Sequence, residues 1–365
     1  MTHRQRVLCA LDHQEPDRVP RGGIGLTPAQ RESFKSRTGQ DNPAAYWDLD
    51  FVGGVGFQRP DIDPEERFGK YFQGAKDKVE FAWGTEYPAE WGVGTRYAHF
   101  YHFGAPLFPL AEAEGIREIE TYPFPDYVGE WGHDHFEADV ERIRAEGYPV
   151  VGRCQRIFQT VWYLRSRERL FVDMHEQPAL AEALFENVTR VVKAAAVRLA
   201  ESGIDILTIA DDIAMQDRMM ISPDMWRRWV KPRAAEVFGA AKSANPGLKI
   251  FYHTDGNFEA VMPDLIEIGV DCFSTVQPEC LDVAKVKREY GARITLGGTI
   301  GVQSTFRFGT PHEVQDMVKR QINDLAPGGG FILNPSNAVE PDVPWENIEA
   351  LYEAAERFGW YAREG

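Results

Sequence analysis

Leu248-Lys249-Ile250-Phe251-Tyr252-His253-Thr254-Asp255-Gly256 is the stretch that decides the fold. An apolar run stops abruptly at a His-x-Asp pair and a glycine, as a buried parallel strand does when it releases polar side chains at its carboxyl end. Comparable β-rich runs occur at 148–154, 205–210, 270–276, 293–298 and 330–333, each followed by a stretch of helical period. Six strand-then-helix units call for an α/β fold with a parallel sheet and helical crossovers. Two glycine-bearing runs, 18–23 and 49–55, bring the count to eight, the number that closes a (β/α)8 TIM barrel; six or seven would leave the sheet open.

The connecting helices are legible. Residues 178–202 carry Ala, Leu, Glu and Val at helical spacing. Ser222-Pro223-Asp224 caps a helix over 225–244, and Thr310-Pro311-His312-Glu313 repeats that start with Glu three residues after the cap. Between 60 and 148 no period is sustained. Trp83, Trp91, Trp131, Tyr97, Tyr101, His99, His102, His133 and His135 crowd there among Gly and Pro, as in an elaborated loop or lid. Those rings either pack the extension onto the barrel, the more frequent outcome, or offer a flat surface to a substrate. Gly328-Gly329-Gly330 reads as a tight turn into the last strand.

The 365 residues, 43% of them hydrophobic, suit one domain over 1–365: a barrel of roughly 250 residues plus extensions. A formal charge of −16 with no basic stripe excludes nucleic acid as a partner. Cys9, Cys154, Cys272 and Cys280 form no CxxC pair, so reduced thiols are expected. The first apolar run, from Val7 to Leu11, is too short for a signal peptide or membrane span, and the protein is expected to be soluble and cytoplasmic. The residues leave oligomeric state open.

The strand ends gather Arg153, Gln155, Asp211, Asp212, His253, Asp255, Gln277, Asn334, Ser336 and Asn337 at one mouth. Arg153, Gln155, Gln277, Asn334 and Asn337 are candidates for holding a small-molecule substrate. At least one of Asp211 and Asp212 should face the mouth, to orient substrate, move a proton or pair with an Arg; the alternative is a helix cap. His253 and Asp255 sit on alternate residues of an extended segment and face the same way, so imidazole and carboxylate could hold zinc or move protons as a catalytic pair. A third ligand must come from elsewhere, with Cys280, Asn337 and Asp212 as candidates. The competing reading for His253 is a hydrogen-bonded histidine in a polar mouth.

Several segments together resemble the uroporphyrinogen decarboxylase superfamily over nearly the whole chain: Arg4-x-Arg6 through Pro16-Asp17-Arg18-Val19-Pro20, Trp83-Gly84, Pro106-Leu107 to Tyr122-Pro123-Phe124-Pro125-Asp126, Ala210-Asp211-Asp212-Ile213, Ile221 to Trp226, His253 to Gly256, Thr310 to Val314 and Pro341 to Asn347. The resemblance implies an eight-stranded barrel with its cleft at the carboxyl end. It also implies one of two activities: tetrapyrrole decarboxylation, or zinc-dependent methyl transfer linked to a corrinoid. The decarboxylases carry Arg-Gln-Ala-Gly-Arg-Tyr and Phe-Ser-Asp-Ile segments. Here Arg21 to Thr27 and Asp50 to Val55 have neither, so cationic anchors for a polycarboxylate are missing. The methyltransferases carry His-x-Cys and a later Cys. Here His253 matches, Asp255 replaces the first Cys and Asn337 falls near the second, a harder set of donors.

The resemblance therefore implies a corrinoid-linked methyltransferase, or demethylase, acting on a small methylated substrate, aromatic or aliphatic. Zinc would be its cofactor, and the corrinoid would be carried by a separate protein. The alternatives are a decarboxylase or other lyase of a small or tetrapyrrole acid, and a non-catalytic binding protein on the same barrel.

Overall fold

Five of the expected runs form one parallel sheet in sequence order. They are β1 (Val151–Cys154), β2 (Ile206–Ala210), β3 (Lys249–His253), β4 (Cys272–Phe273) and β5 (Thr295–Leu296). The structure is a computed structural model and describes residues 1–72, 85–86, 91–96 and 105–361. Trp83, Tyr97, His99, Tyr101 and His102, expected in the lid, lie outside the described residues.

The last strands are shorter than the runs 270–276 and 293–298. Gly298 leaves the extended region at φ +63, and a Cβ there would come within 2.5 Å of the Ser274 carbonyl oxygen. The runs 18–23, 49–55 and 330–333 form no ladder. Single parallel bridges, Val55 to Gly152 and Leu296 to Phe331, join 49–55 and 330–333 to the sheet, a third, Arg21 to Leu333, joins 18–23 to 330–333, and the Asp50 amide donates to the Arg21 carbonyl at 2.9 Å. Pro20, Gly22, Gly23, Gly53 and Gly54 account for the broken pairing, since proline lacks a donor and glycine weakens extended backbone. The fold is thus α/β with a parallel sheet, flanked on both edges by these bridged segments.

The two faces of β1 are easily told apart. A Cβ on Gly152 would meet Ile204 Cδ1 at 2.5 Å, and Cys154 Sγ lies 3.6 Å from the Val192 carbonyl oxygen, so both face the helix Pro178–Glu201 and its following turn. Arg153, between them, points to the opposite face. On that face Ile206, Phe251, Cys272 and Ile332 form an apolar floor with Val7 and Leu11 of the helix His3–Leu11. Burying each of those two aliphatic side chains contributes about 1.5–3 kcal/mol. The helix starts at a capping box between Thr2 and Gln5.

The expected helix over 225–244 is two helices, Pro223–Trp229 and Lys231–Ala244. Pro232 causes the break, because it has no amide for the Arg228 carbonyl and its ring crowds that turn. The helix Pro311–Leu325 opens on the capping box of Thr310 and Glu313. Gly328, Gly329 and Gly330 all have φ between +65 and +77, which forms the tight turn.

In the region 60–148, short strands Thr85–Glu86, Gly94–Arg96 and Ala105–Leu107 pair antiparallel. Trp91, Trp131, Tyr122 and Tyr127 are buried, and the Tyr127 and Trp131 ring centroids lie 5.0 Å apart. These four rings are packing side chains and present no flat surface to a ligand. His133 accepts from Arg198 Nε at 2.9 Å, and His135 reaches the Gly56 carbonyl, so both tie the extension to the barrel segments.

Asp50 is fully buried and takes five donors from four residues: His3 Nδ1 at 2.9 Å, Arg6 Nη1 and Arg18 Nη1 at 2.6 Å each, Arg18 Nη2 at 3.3 Å, and the Arg21 amide at 2.7 Å. No helix among the described residues is long and apolar enough to cross a membrane. All four cysteines are free.

Candidate functional site

His253 is the last residue of β3 and lies in register with Ala210, the last of β2. Asp212 and Asp255 follow two residues beyond these strand ends. One ligand-capable atom from each of Asp212, His253 and Asp255 lies within 4.8 Å of the others. His253 Nε2 is 3.7 Å from Asp255 Oδ1.

The imidazole's orientation follows from a proton count. Thr275 Oγ1 lies 2.5 Å from His253 Nδ1 and 3.0 Å from the Ser336 carbonyl oxygen. A carbonyl only accepts, so the hydroxyl donates its one proton there and accepts from Nδ1–H. Nε2 faces the two carboxylates, and in the neutral ring it is the nitrogen that carries the lone pair. Asp255 is held in turn by Asn337, whose Nδ2 donates to Oδ2 at 2.6 Å while its Oδ1 accepts from the Ala338 amide at 2.6 Å. Asp212 Oδ2 accepts from Gln159 Nε2 at 3.0 Å, and its Oδ1 from the Asp255 amide at 3.3 Å.

Neither Cys280 nor Asn337 joins the group as the third donor. Cys280 Sγ donates to Gln216 Oε1 at 3.2 Å, and burial, aided by Glu279 and Asp255, pushes the thiol up to about 11. Asn337 turns its N–H, not its oxygen, toward the cluster. Asp212 supplies the third group. An imidazole and two carboxylates are a donor set that fits a divalent cation such as zinc. Thr275 and Asn337 orient two of the three, as outer partners of metal ligands do. Replacing Thr275 by Val should leave the fold intact and weaken zinc binding by about 10- to 100-fold, read by competition with a chromogenic chelator.

Asp211 takes a different place. It is buried and accepts from the Phe158 amide at 3.0 Å and the Gln159 amide at 2.7 Å, at the start of the helix Phe158–Arg165. Burial pushes its carboxyl up to about 6, the two amides opposing and Asp212 adding to the rise. A carboxyl raised from 3.8 to about 6 binds its proton more tightly when folded, so its contribution to stability falls as pH rises from about 4 to 6. The change amounts to about 3 kcal/mol at most. Asp211→Asn should flatten the melting temperature against pH over that window relative to the wild type; an unchanged difference would contradict the buried carboxyl.

The remaining candidates divide between two cavities. The larger, of about 710 Å³, is lined by Arg153 and Asn334 among others, with Thr208, Phe251 and Ser274 on the inner faces of the strands. A neighbouring cavity of about 470 Å³ is bordered by Asp255, Gln277, Ser336 and Asn337. The three-residue cluster therefore meets the smaller cavity through Asp255 and does not line the larger. Asn334 Oδ1 accepts from the Gly298 amide at 2.8 Å, and Gln277 Oε1 accepts from the Gly256 amide at 3.2 Å, so both also brace backbone. Gln155 is half-buried just past β1. Thr275 and Gln159 are functional partners that sequence reading missed. Nothing in the chain ties 275 to 253, or 159 to 212, until the strands are aligned.

A sequence model of the family described as Uroporphyrinogen decarboxylase (URO-D) matches residues 109–358. Methylcobamide:CoM methyltransferase MtaA of Methanosarcina barkeri is 29% identical over 179 residues, 48% of this chain and 49% of that protein. A uroporphyrinogen decarboxylase of Chlorobaculum tepidum is 24% identical over 183 residues, 49% of this chain and 50% of that protein. The matched part spans about half the length of these curated relatives. Among solved structures, a methyltransferase from Methanosarcina mazei superposes with a TM-score of 0.65 at 20% identity, covering 98% of this chain and 99% of that one. That likeness shows the fold.

Proposed function

The chain belongs to the uroporphyrinogen decarboxylase family, and from that premise we propose that it is a methyltransferase, moving a methyl group between a small methylated substrate and a corrinoid carried on a separate protein. The observation that carries this reading is the cluster of Asp212, His253 and Asp255 at adjoining strand ends, with the imidazole Nε2 turned toward the carboxylates. We infer that the eight parallel segments close a barrel around it, a reading supported by the bridges at Val55, Leu296 and Arg21.

A zinc ion bound there would act as a Lewis acid on the heteroatom that gains or loses the methyl group. The protein's own residues do the rest. Thr275 keeps the imidazole proton on Nδ1, so Nε2 stays basic and aimed. Asn337 holds Asp255, and Gln159 holds Asp212, so neither carboxylate must reorganise as charge changes at the substrate.

The test is a spectroscopic methyl-transfer assay with free methylcobalamin or reduced cobalamin as the surrogate carrier. Small thiols serve as acceptors, and methyl ethers and thioethers as donors. A change in the cobalt absorbance that requires enzyme and zinc supports the reading. No turnover with any pair, alongside carbon dioxide release from a small acid, would replace it with the decarboxylase reading. That second reading draws on the arginine-lined larger cavity and on the decarboxylase relatives.

A further inference from the structure

The larger cavity has a charge opposite to that of the chain. The protein as a whole is at −16, yet the cavity is lined by three arginines, Arg31, Arg142 and Arg153, and one acid, Glu146. Arg142 is paired with Asp139 at 3.1 Å and with Glu146 at 3.3 Å, which accounts for the one acid. Among the described residues, Arg153 has no ion pair or hydrogen bond. Arg153 is exposed, so its permanently charged guanidinium is hydrated and available to an anionic acceptor.

Its height in the sheet is fixed by register. Arg153 pairs with Thr208, and Thr208 with Phe251, at the upper level of the apolar floor, two residues beyond Ile206. His253 follows Phe251 by two residues on the same face, so its level is about 7 Å higher at the usual rise of a strand. Arg153 and His253 are also two strands apart, roughly 10 Å sideways, so the extended arginine side chain and a molecule one aromatic ring long together span the gap. The wall offers hydrogen-bonding side chains from Thr208, Ser274 and Asn334 and an aromatic face from Phe251.

We propose that the small substrate bears a carboxylate, which Arg153 grips in the larger cavity, and that its other end carries the methylated heteroatom out of that cavity toward the neighbouring one, which Asp255 of the three-residue cluster borders. The identity of the reacting end rests on the methyl-transfer reading; the carboxylate end does not. A guanidinium fork matches the two oxygens of a carboxylate in one plane, and Arg31, also without an ion pair among the described residues, adds positive charge to the same cavity.

Titration calorimetry with para-methoxybenzoate, with aliphatic and aromatic carboxylates of similar length, and with neutral methoxybenzene tests this on the whole protein. Wild-type protein should bind at least one carboxylate. Arg153→Gln should weaken that binding by about 10- to 100-fold, the loss expected for a charged hydrogen bond, and leave methoxybenzene unchanged. Arg153→Lys should fall between the two, since it keeps the charge and loses the fork. Because Arg153 has no partner, melting temperature should not move in either variant, which separates a binding role from a structural one. The same loss should appear after chelation of metal, so failure of methyl transfer with carboxylate binding intact would sink the methyl-transfer reading alone. Equal carboxylate affinity in Arg153→Gln, no carboxylate bound by the wild type, or tighter binding of phenyl phosphate than of any carboxylate would overturn the proposal.

Discussion

Purified His253→Ala protein should contain no stoichiometric zinc and should lose methyl transfer altogether within the limits of the cobalt assay. The substitution removes the one nitrogen donor from a set of three, leaving two carboxylates of like charge facing each other. Removing a ligand costs more than removing an outer partner, for which about 10- to 100-fold in metal affinity is usual. His253→Ala should therefore fall well below the Thr275→Val protein in zinc content. Elemental analysis of wild type and variant in parallel checks the first part. A wild-type protein that never acquires zinc, yet transfers methyl groups at full rate, would leave acid–base chemistry at His253 as the surviving account.

The largest loss of stability is expected at Asp50. Its carboxylate is fully buried and neutralises Arg6 and Arg18, which are themselves buried. Asp50→Ala leaves those guanidinium groups without their partner in low dielectric, a loss of about 3–5 kcal/mol. Urea unfolding should show the midpoint drop with little change in slope, as a change in stability alone requires. Asp48→Ala is the control, because Asp48 is 57% exposed and its contact with Arg18 contributes about 1 kcal/mol or less. The pH dependence has a fixed sign. Burial acts to raise the Asp50 carboxyl, but His3, Arg18, the Arg21 amide and Arg6 outweigh it and hold it below its ordinary value. Its stabilisation is therefore complete above the ordinary carboxylate range and is lost as pH falls below it, opposite to the trend for Asp211.

The sequence made the strand-to-helix rhythm readable because buried parallel strands are continuous apolar runs, and five of those runs pair in order. The placing of His253 and Asp255 at a strand end came from the same signal. The segments 18–23, 49–55 and 330–333 were harder, since glycine and proline reduce each to a single bridge whose partner is distant in the chain. The roles of Asp211 and Asp212 could not be separated by reading, because adjacent residues past a strand end diverge by small backbone angles. Only the neighbouring helix amides decide which carboxylate caps it. Cys280 is a candidate third ligand by its thiol, and the fold instead turns it toward Gln216. The break at Val230 was legible in Pro232, a signal outweighed by the apolar period around it.

Ser336 and Asn337 are neighbours in the chain, and they act on different members of the cluster. The Ser336 carbonyl fixes where the imidazole keeps its proton, through Thr275, while the Asn337 amide fixes how Asp255 points. Basicity and aim are thus wired to one dipeptide at the cavity rim. A body that pressed on this rim and shifted the dipeptide would retune both together, so arrival of a carrier could change the reactivity of the centre before any atom of the carrier touched it.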